Sequence, residues 1–238
     1  MPRPTALVVQ NFPGGGPGRW QDWLGETGLD CEVVEAHTGA PLPDGLAGRY
    51  AALVILGGPL MPDDDARAPW LPAARALARE ALGSGLPYFG ICLGGQLLAQ
   101  VAGGEVRAEH GTPEAGSTPL TLLPAVVDDP LFHGLPEQVT AIEHHVDAIT
   151  VLPPDAAWLA RSTTCPHQAF RVGSTAWGVQ FHPEVAAERI AHWNPDRLAR
   201  NGFDHGDLLE RARRDEPAAA EVWRTVAHRF GRLAANRG

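Results

Sequence analysis

The stretch Pro87-Tyr88-Phe89-Gly90-Ile91-Cys92-Leu93-Gly94-Gly95-Gln96 constrains this chain more than any other. Leu86, Tyr88, Phe89 and Ile91 read as a short buried strand. Leu93, Leu97, Leu98 and Val101 then recur at helical spacing, so Cys92 falls on a strand-to-helix junction. Glycines on both sides of the cysteine permit the sharp, strained turn of a nucleophile elbow, with cysteine in place of serine. The helix that follows aims its free N–H groups and positive dipole end at the sulfur, a setting that stabilises a thiolate. The N–H of Leu93 falls where it would donate to an oxyanion. An inert buried thiol gives no reason for these glycines.

The surrounding pattern is that of an α/β protein. Ala6 to Val9 reads as a first strand, the Gly14–Gly18 segment as a mobile surface loop, and Trp20, Trp23 and Leu24 as part of a helix ending near Thr27. Cys31 to Val34 is a second strand, and Ala51 to Leu56 an uninterrupted apolar run typical of a parallel strand covered on both faces. That run ends at Gly57-Gly58-Pro59, where the backbone can approach a ligand at the carboxyl edge of the sheet, so Gly58 is a candidate second oxyanion donor. Trp70, Leu71, Ala74, Leu77, Ala78, Ala81 and Leu82 form the buried stripe of a helix. Strand-helix alternation of this kind makes a parallel sheet wrapped by helices.

After Gly103-Gly104 come short strand-like pieces: Glu105 to Ala108, Leu120 to Leu123, Val139 to Ile142, Ala157 to Ala160, Ala169 to Val172 and Ala176 to Phe181. Pro and Gly separate them, as in an added meander. From Asp207 the pattern is helical, with Val222, Val226, Phe230 and Leu233 on one packing face.

Composition narrows the function classes. The formal charge of −9 leaves no basic field for nucleic acid or an anionic membrane. All 19 basic residues are arginine, which excludes a Schiff-base lysine and a Walker-A lysine. Three separated cysteines, Cys31, Cys92 and Cys165, make no disulfide framework and fit a reducing cytoplasm. Neither a signal peptide nor a run of membrane-spanning length is present, so a soluble cytoplasmic protein is expected, folded as a single domain over residues 1–238.

The second half of a site lies in Trp177-Gly178-Val179-Gln180-Phe181-His182-Pro183-Glu184. Pro183 biases His182 toward extended backbone, where residues two apart face the same way, so His182 and Glu184 can serve as a base and its orienting carboxylate. An α/β-hydrolase would place its acid before the histidine, which this chain does not. A zinc deaminase would need a later CxxC, and none occurs. Zinc ligand sets built from His144, His145 and Asp147, or from Cys165 and His167, are incomplete, so no metal is expected.

Together Gly57-Gly58-Pro59, Pro87 to Gln96 and Gln180 to Glu184 resemble the class I glutamine amidotransferases, the Cys-His-Glu glutaminases, and most of all their stand-alone, GMP-synthase-like members. Cys165 to Arg171 leading to Trp177-Gly178-Val179 adds to the likeness, which covers about Ala51 to Ile190 and hardly touches the helical extension of about 186–238. The resemblance implies a flavodoxin-like doubly wound, mostly parallel sheet with helices on both faces and a small antiparallel meander. It implies Cys92 as nucleophile, His182 and Glu184 completing a triad, Gly58 and Leu93 as oxyanion donors, and Gln96, His145 and Asp147 at the substrate's α-amino and carboxylate end. Val146 stands where the family's His-Gly-Asp segment has glycine, and His144 where it has an aromatic.

The implied reaction is hydrolysis of the glutamine γ-amide through a cysteinyl thioester to glutamate and ammonia, without a cofactor. Lacking a synthetase half and an SGGxD-type loop, the chain would pass ammonia to a separate synthetase subunit or act alone. Two alternatives stand beside it. One is a γ-glutamyl peptide or amine hydrolase with the same triad, favoured by the altered Glu143–Asp147 segment; the other is a non-catalytic regulatory or binding subunit.

Overall fold

Alternating faces of the apolar strands dictate a sheet packed on both sides. In the computed structural model, which describes residues 3–236, five strands run parallel at its core. They lie in the order β2 (Asp30–Glu35), β1 (Thr5–Gln10), β3 (Ala52–Ile55), β4 (Tyr88–Ile91) and β11 (Ala176–Val179). The sheet continues antiparallel through β10 (Ala169–Val172), β9 (Ala157–Arg161), β6 (Glu114–Leu122) and β7 (Gln138–His145). A separate two-stranded sheet pairs β5 (Glu105–Arg107) with β8 (Ala148–Val151). The parallel order is that of a flavodoxin-like doubly wound fold, whose ligand edge lies at the carboxyl ends of the strands.

The period-2 rule sorts the core. Val8, Val54, Phe89 and Trp177 point to one face, where α1 (Gly18–Glu26) and α5 (His205–Ala235) cover them with Trp20, Leu24, Trp223 and Phe230. Leu7, Leu53 and Tyr88 point to the other, beneath α2 (Leu71–Ser84) and α3 (Leu93–Val101). Phe89 is held between Trp20 and Phe230 at centroid distances of 4.6 and 5.6 Å. The Trp20/Trp23 region and the long terminal helix are therefore internal packing. On α5 the buried stripe is centred on Trp223, Val226, Ala227 and Phe230, and Val222 and Leu233 only border it.

The antiparallel half departs from expectation. Leu120 to Leu123 and Val139 to Ile142 belong to longer strands, paired from Glu114↔His145 to Thr121↔Gln138. Pro119 and Gly116 weaken the local strand signal of β6, and the polar Glu143-His144-His145 run hides the end of β7; cross-strand pairing overrides both. None of the expected strands corresponds to β8. The glycine loop after β1 is not loose surface either: its Pro17 is buried, and the Gly14 carbonyl accepts a bond from Arg189. No helix among the described residues is long and apolar enough to cross a membrane.

Candidate active site

Cys92 occupies the junction between β4 and α3 with φ 51° and ψ −107°, a conformation that costs a non-glycine residue about 1–3 kcal/mol. Surrounding bonds hold it there. Its N–H donates to the Val179 carbonyl at 2.8 Å, and its own carbonyl accepts from the Gln96 N–H at 2.9 Å. Gly94 lets the first turn of α3 press on β3, since a Cβ there would lie 2.0 Å from the Ile55 carbonyl oxygen. Leu93 opens the helix, so its N–H has no acceptor within it.

His182 lies beside Cys92, and its Nδ1 is 2.8 Å from Glu184 Oε1. The two do not lie on a continuing strand as the spacing suggests. β11 stops at Val179, His182 makes one bridge to Ile142, and Pro183-Glu184 is a turn closed by Val185 N–H to the His182 carbonyl at 3.3 Å. The turn still brings the carboxylate onto the imidazole. Burial pushes the His182 pKa down, but Glu184 and the Cys92 sulfur together outweigh it and hold it well above the usual value.

Arg19, at the start of α1, braces this turn. Its N–H donates to the Glu184 carbonyl at 3.2 Å and its Nε to the Pro183 carbonyl at 3.0 Å. Its guanidinium also pairs with Glu216 of α5, whose other oxygen accepts the Ala187 N–H at 2.9 Å. Neither residue carries a sequence motif; each is recognisable only once α1 and α5 are seen to flank the turn.

Gln96 is fully inside. Its Nε2 donates to Gln180 Oε1 at 3.1 Å and reaches the Asp147 carbonyl at 3.5 Å, while Gln180 Nε2 is 3.6 Å from the Cys92 sulfur. A chain of amides thus runs from Cys92 to the β7–β8 loop. Gln180, which opens the matching piece Gln180 to Glu184, is a site neighbour to which the sequence assigns no role.

His145 and Asp147 enter this loop with their polar groups largely committed. His145 Nδ1 donates to the Asp147 carbonyl at 3.0 Å, and Nε2 lies 2.9 Å from Glu114 Oε2. The Asp147 carboxylate accepts the Glu109 N–H at 2.9 Å. Val146 needs no left-handed backbone here: the non-glycine residues with positive φ are Cys92, Glu109 and Asp155 among those described.

Behind His145 lies an acidic network. Glu114 accepts from Ser162 and Thr164 at 2.5 Å each and from Gln168 at 2.6 Å; burial pushes its pKa up, but His145, Ser162 and Thr164 bring it below the usual value. Glu143, wholly buried and 3.4 Å from His145 Nε2, is held well above the usual range by burial and by Glu114. Glu114, His145 and Cys165 offer donor atoms within 4.8 Å of one another, the one grouping among the described residues that could approach a cation. Glu114 is already engaged by those four groups, and burial pushes the Cys165 thiol up to about 12.

The pocket in front of Cys92 is lined by Gly58, Pro59 and Gln96 from the sheet edge and by Glu114 and the His144–Asp147 loop from the meander. Its outer wall comes from the tail: Arg197 and Leu198 of α4 (Pro195–Arg200), then Asn201 and Phe203. His144 stacks on Trp193 at 4.1 Å, and burial pushes its pKa down to about 4. Of the residues predicted for the site, Cys92, Gly58, Gln96, His145 and Asp147 line this pocket; Leu93, His182 and Glu184 are off its lining, with His182 beside Cys92 and Glu184 on the imidazole.

Comparison with known proteins gives the family. The family model for glutamine amidotransferase class-I matches residues 21–193, stopping short of the α4 wall. A GMP synthase (glutamine-hydrolyzing) subunit from Pyrococcus abyssi is 32% identical over 160 residues, 67% of this chain and 78% of that one. Its Methanopyrus kandleri counterpart is 33% identical over 172 residues, 72% and 83% of the two chains. For the counterpart from Pyrococcus furiosus, 43% identical over 102 residues, the match spans about half of each chain, 42% of this one and 52% of the relative. Among solved structures, a glutamine amidotransferase from Thermotoga maritima superposes with a TM-score of 0.85 at 26% identity, covering 96% of this chain and 98% of its own. One from Methylobacillus flagellatus gives 0.81 at 27%, covering 98% and 94%. With a strained cysteine at the strand-helix junction, a histidine-glutamate pair beside it, and a family match over most of its length, the chain belongs to the class-I glutamine amidotransferases, a family of cysteine-nucleophile amidohydrolases.

Proposed function

We propose that this chain hydrolyses the γ-amide of glutamine to glutamate and ammonia through a cysteinyl thioester at Cys92. The observation that carries the reading is the strained Cys92 beside a His182 whose Nδ1 is fixed by Glu184 at 2.8 Å. The thiolate attacks the amide carbon while the N–H groups of Leu93 and Gly58 receive the oxyanion. His182 gives its proton to the departing nitrogen as the tetrahedral intermediate collapses to the thioester. It then takes one from water, whose oxygen attacks the thioester carbon and frees glutamate and the thiolate. Glu184 keeps the imidazole in one tautomer and stabilises its charged form. Gln96, His145 and Asp147 shape the end of the pocket that takes the amino-acid head.

Ammonia would pass to a separate synthetase subunit. The likeness to the GMP synthase chains of Pyrococcus abyssi and Methanopyrus kandleri supports this reading. A second reading keeps the same chemistry and changes the leaving group: a γ-glutamyl peptide or amine hydrolase. The tail wall and the His144–Trp193 stack, both at the pocket rim, favour it.

The test is release of ammonia and glutamate from glutamine by the purified chain, beside a panel of γ-glutamyl peptides and amines, with Cys92→Ala as control. Turnover of glutamine that Cys92→Ala abolishes supports the first reading. Turnover confined to another γ-glutamyl compound moves the assignment to the second. Silence on every substrate contradicts both.

A further inference from the structure

The wall that the tail adds to the pocket carries a charge without an answer. Arg197 is the pocket's one lysine or arginine, and among the described residues its guanidinium makes no ion pair. The carboxylates on the same lining face other groups: Glu114 is engaged by His145, Ser162, Thr164 and Gln168, and Asp147 accepts the Glu109 N–H. Arg79, Arg161, Arg200, Arg211 and Arg232 are likewise exposed arginines outside ion pairs among the described residues, and what sets Arg197 apart is its place on the pocket lining with Cys92.

The backbone of Arg197 is fixed, and the residue itself is exposed at the pocket wall. Asn194 caps α4 by accepting the Arg197 N–H at 3.0 Å, and Pro195 presets the first turn. Leu198, 2% exposed, seats the helix in a small core with Ala115, Ile142, Ile190 and Leu208. Ala115 and Ile142 lie on β6 and β7, the strands that carry Glu114 and His145, so α4 is tied to the pocket floor and not to distant surface. Arg197 is close enough to His144 to help lower its pKa, behind burial and His182.

An unpaired guanidinium on the lining of a pocket, carried by an anchored helix, suits a carboxylate, because its planar fork matches the two carboxylate oxygens. Resting on the γ-glutamyl chemistry proposed above, we propose that Arg197 reads a carboxylate of the substrate, making α4 a specificity element that lies outside the matched family region. Two carboxylates could meet it: the α-carboxylate of the glutamyl unit, or one on the leaving amine of a γ-glutamyl amino acid.

The inference is tested by calorimetric binding to the Cys92→Ala protein, with and without Arg197→Met. The ligands are L-glutamine, glutamine α-amide, γ-glutamylglycine and γ-glutamyl methylamide. If the α-carboxylate is read, Arg197→Met weakens every ligand about tenfold except the α-amide, which is unchanged. If the leaving-group carboxylate is read, only γ-glutamylglycine weakens. Arg197→Lys should recover part of the loss, and Arg200→Met, on the same helix and outside the pocket lining, should change nothing. Equal weakening of all four ligands, no change in any, or no binding of any overturns the proposal. Failure of Cys92-dependent hydrolysis with selective, Arg197-dependent binding intact would sink the proposed reaction alone; hydrolysis with unaltered selectivity would sink the Arg197 role alone.

Discussion

Gly57 packs against both Cys92 and His182: a Cβ at this position would lie 2.8 Å from His182 Cε1 and 3.3 Å from Cys92 Cβ. The approach of imidazole to sulfur therefore depends on the absence of one methyl group, at a position next to the glycine singled out for its N–H. Gly57→Ala should push the ring away from the sulfur. A misplacement of this size costs on the order of 100-fold in kcat. Steady-state hydrolysis should show that fall, with a thermal midpoint close to the parent's; an unchanged kcat would mean that the ring has room to yield.

In the proposed reaction Glu184 acts through His182, so Glu184→Gln should lower kcat by roughly 10²–10⁴-fold while KM moves little. The carboxylate is also one of the groups that raise the His182 pKa, so its removal should bring that pKa down. An NMR titration of the His182 ring in both proteins reads the shift directly. A ring that titrates identically in the two proteins would remove Glu184 from the site's electrostatics.

Much of this site was legible in the sequence because its signals are local. Gly90 to Gly94 announces the elbow, and His182 and Glu184 are two residues apart, so short-range geometry brings them together even though a turn, not a strand, does the joining. The parallel half was equally legible, since Ala52–Ile55 and Tyr88–Ile91 are buried on both faces and read as unbroken apolar runs. What escaped depends on distant partners. Glu114 and His145 are joined by the register of β6 and β7, and Arg19 and Glu216 by the packing of α1 on α5; no local pattern marks such pairs.

Glu143 gives a pH dependence with a defined sign. Its pKa is raised in the folded chain by burial and by Glu114, from an ordinary value of 4.5. Above pH 4.5 the unfolded chain has lost this proton while the folded chain keeps it, so the group lowers stability as pH rises until its folded pKa is passed. The slope is about 1.4 kcal/mol per pH unit. Glu143→Gln removes the ionisation and retains an oxygen and the shape. Urea melts across roughly pH 5 to 8 should show a flatter profile for the variant, with the largest gain at the alkaline end. Parallel profiles would show that Glu143 is ionised in the folded protein.

The Arg19–Glu216 pair links the two helices that flank the Pro183-Glu184 turn, and only 13% and 27% of the two side chains are exposed. Burial lowers the Arg19 pKa against the pull of Glu216 and Glu184, so each charge depends on the other for its solvation. Removing one partner strands the other: Arg19→Met or Glu216→Gln alone should cost about 1–3 kcal/mol. The double variant should cost less than the sum of the two single losses, because neither charge is then left alone. Arg19→Met also removes the bond from Nε to the Pro183 carbonyl, which Glu216→Gln leaves in place. The turn carrying Glu184 should loosen only in the first variant, so kcat should fall in Arg19→Met and stay near the parent value in Glu216→Gln at equal loss of stability. Equal loss of kcat in both would make the pair a stability element with no separate hold on the site.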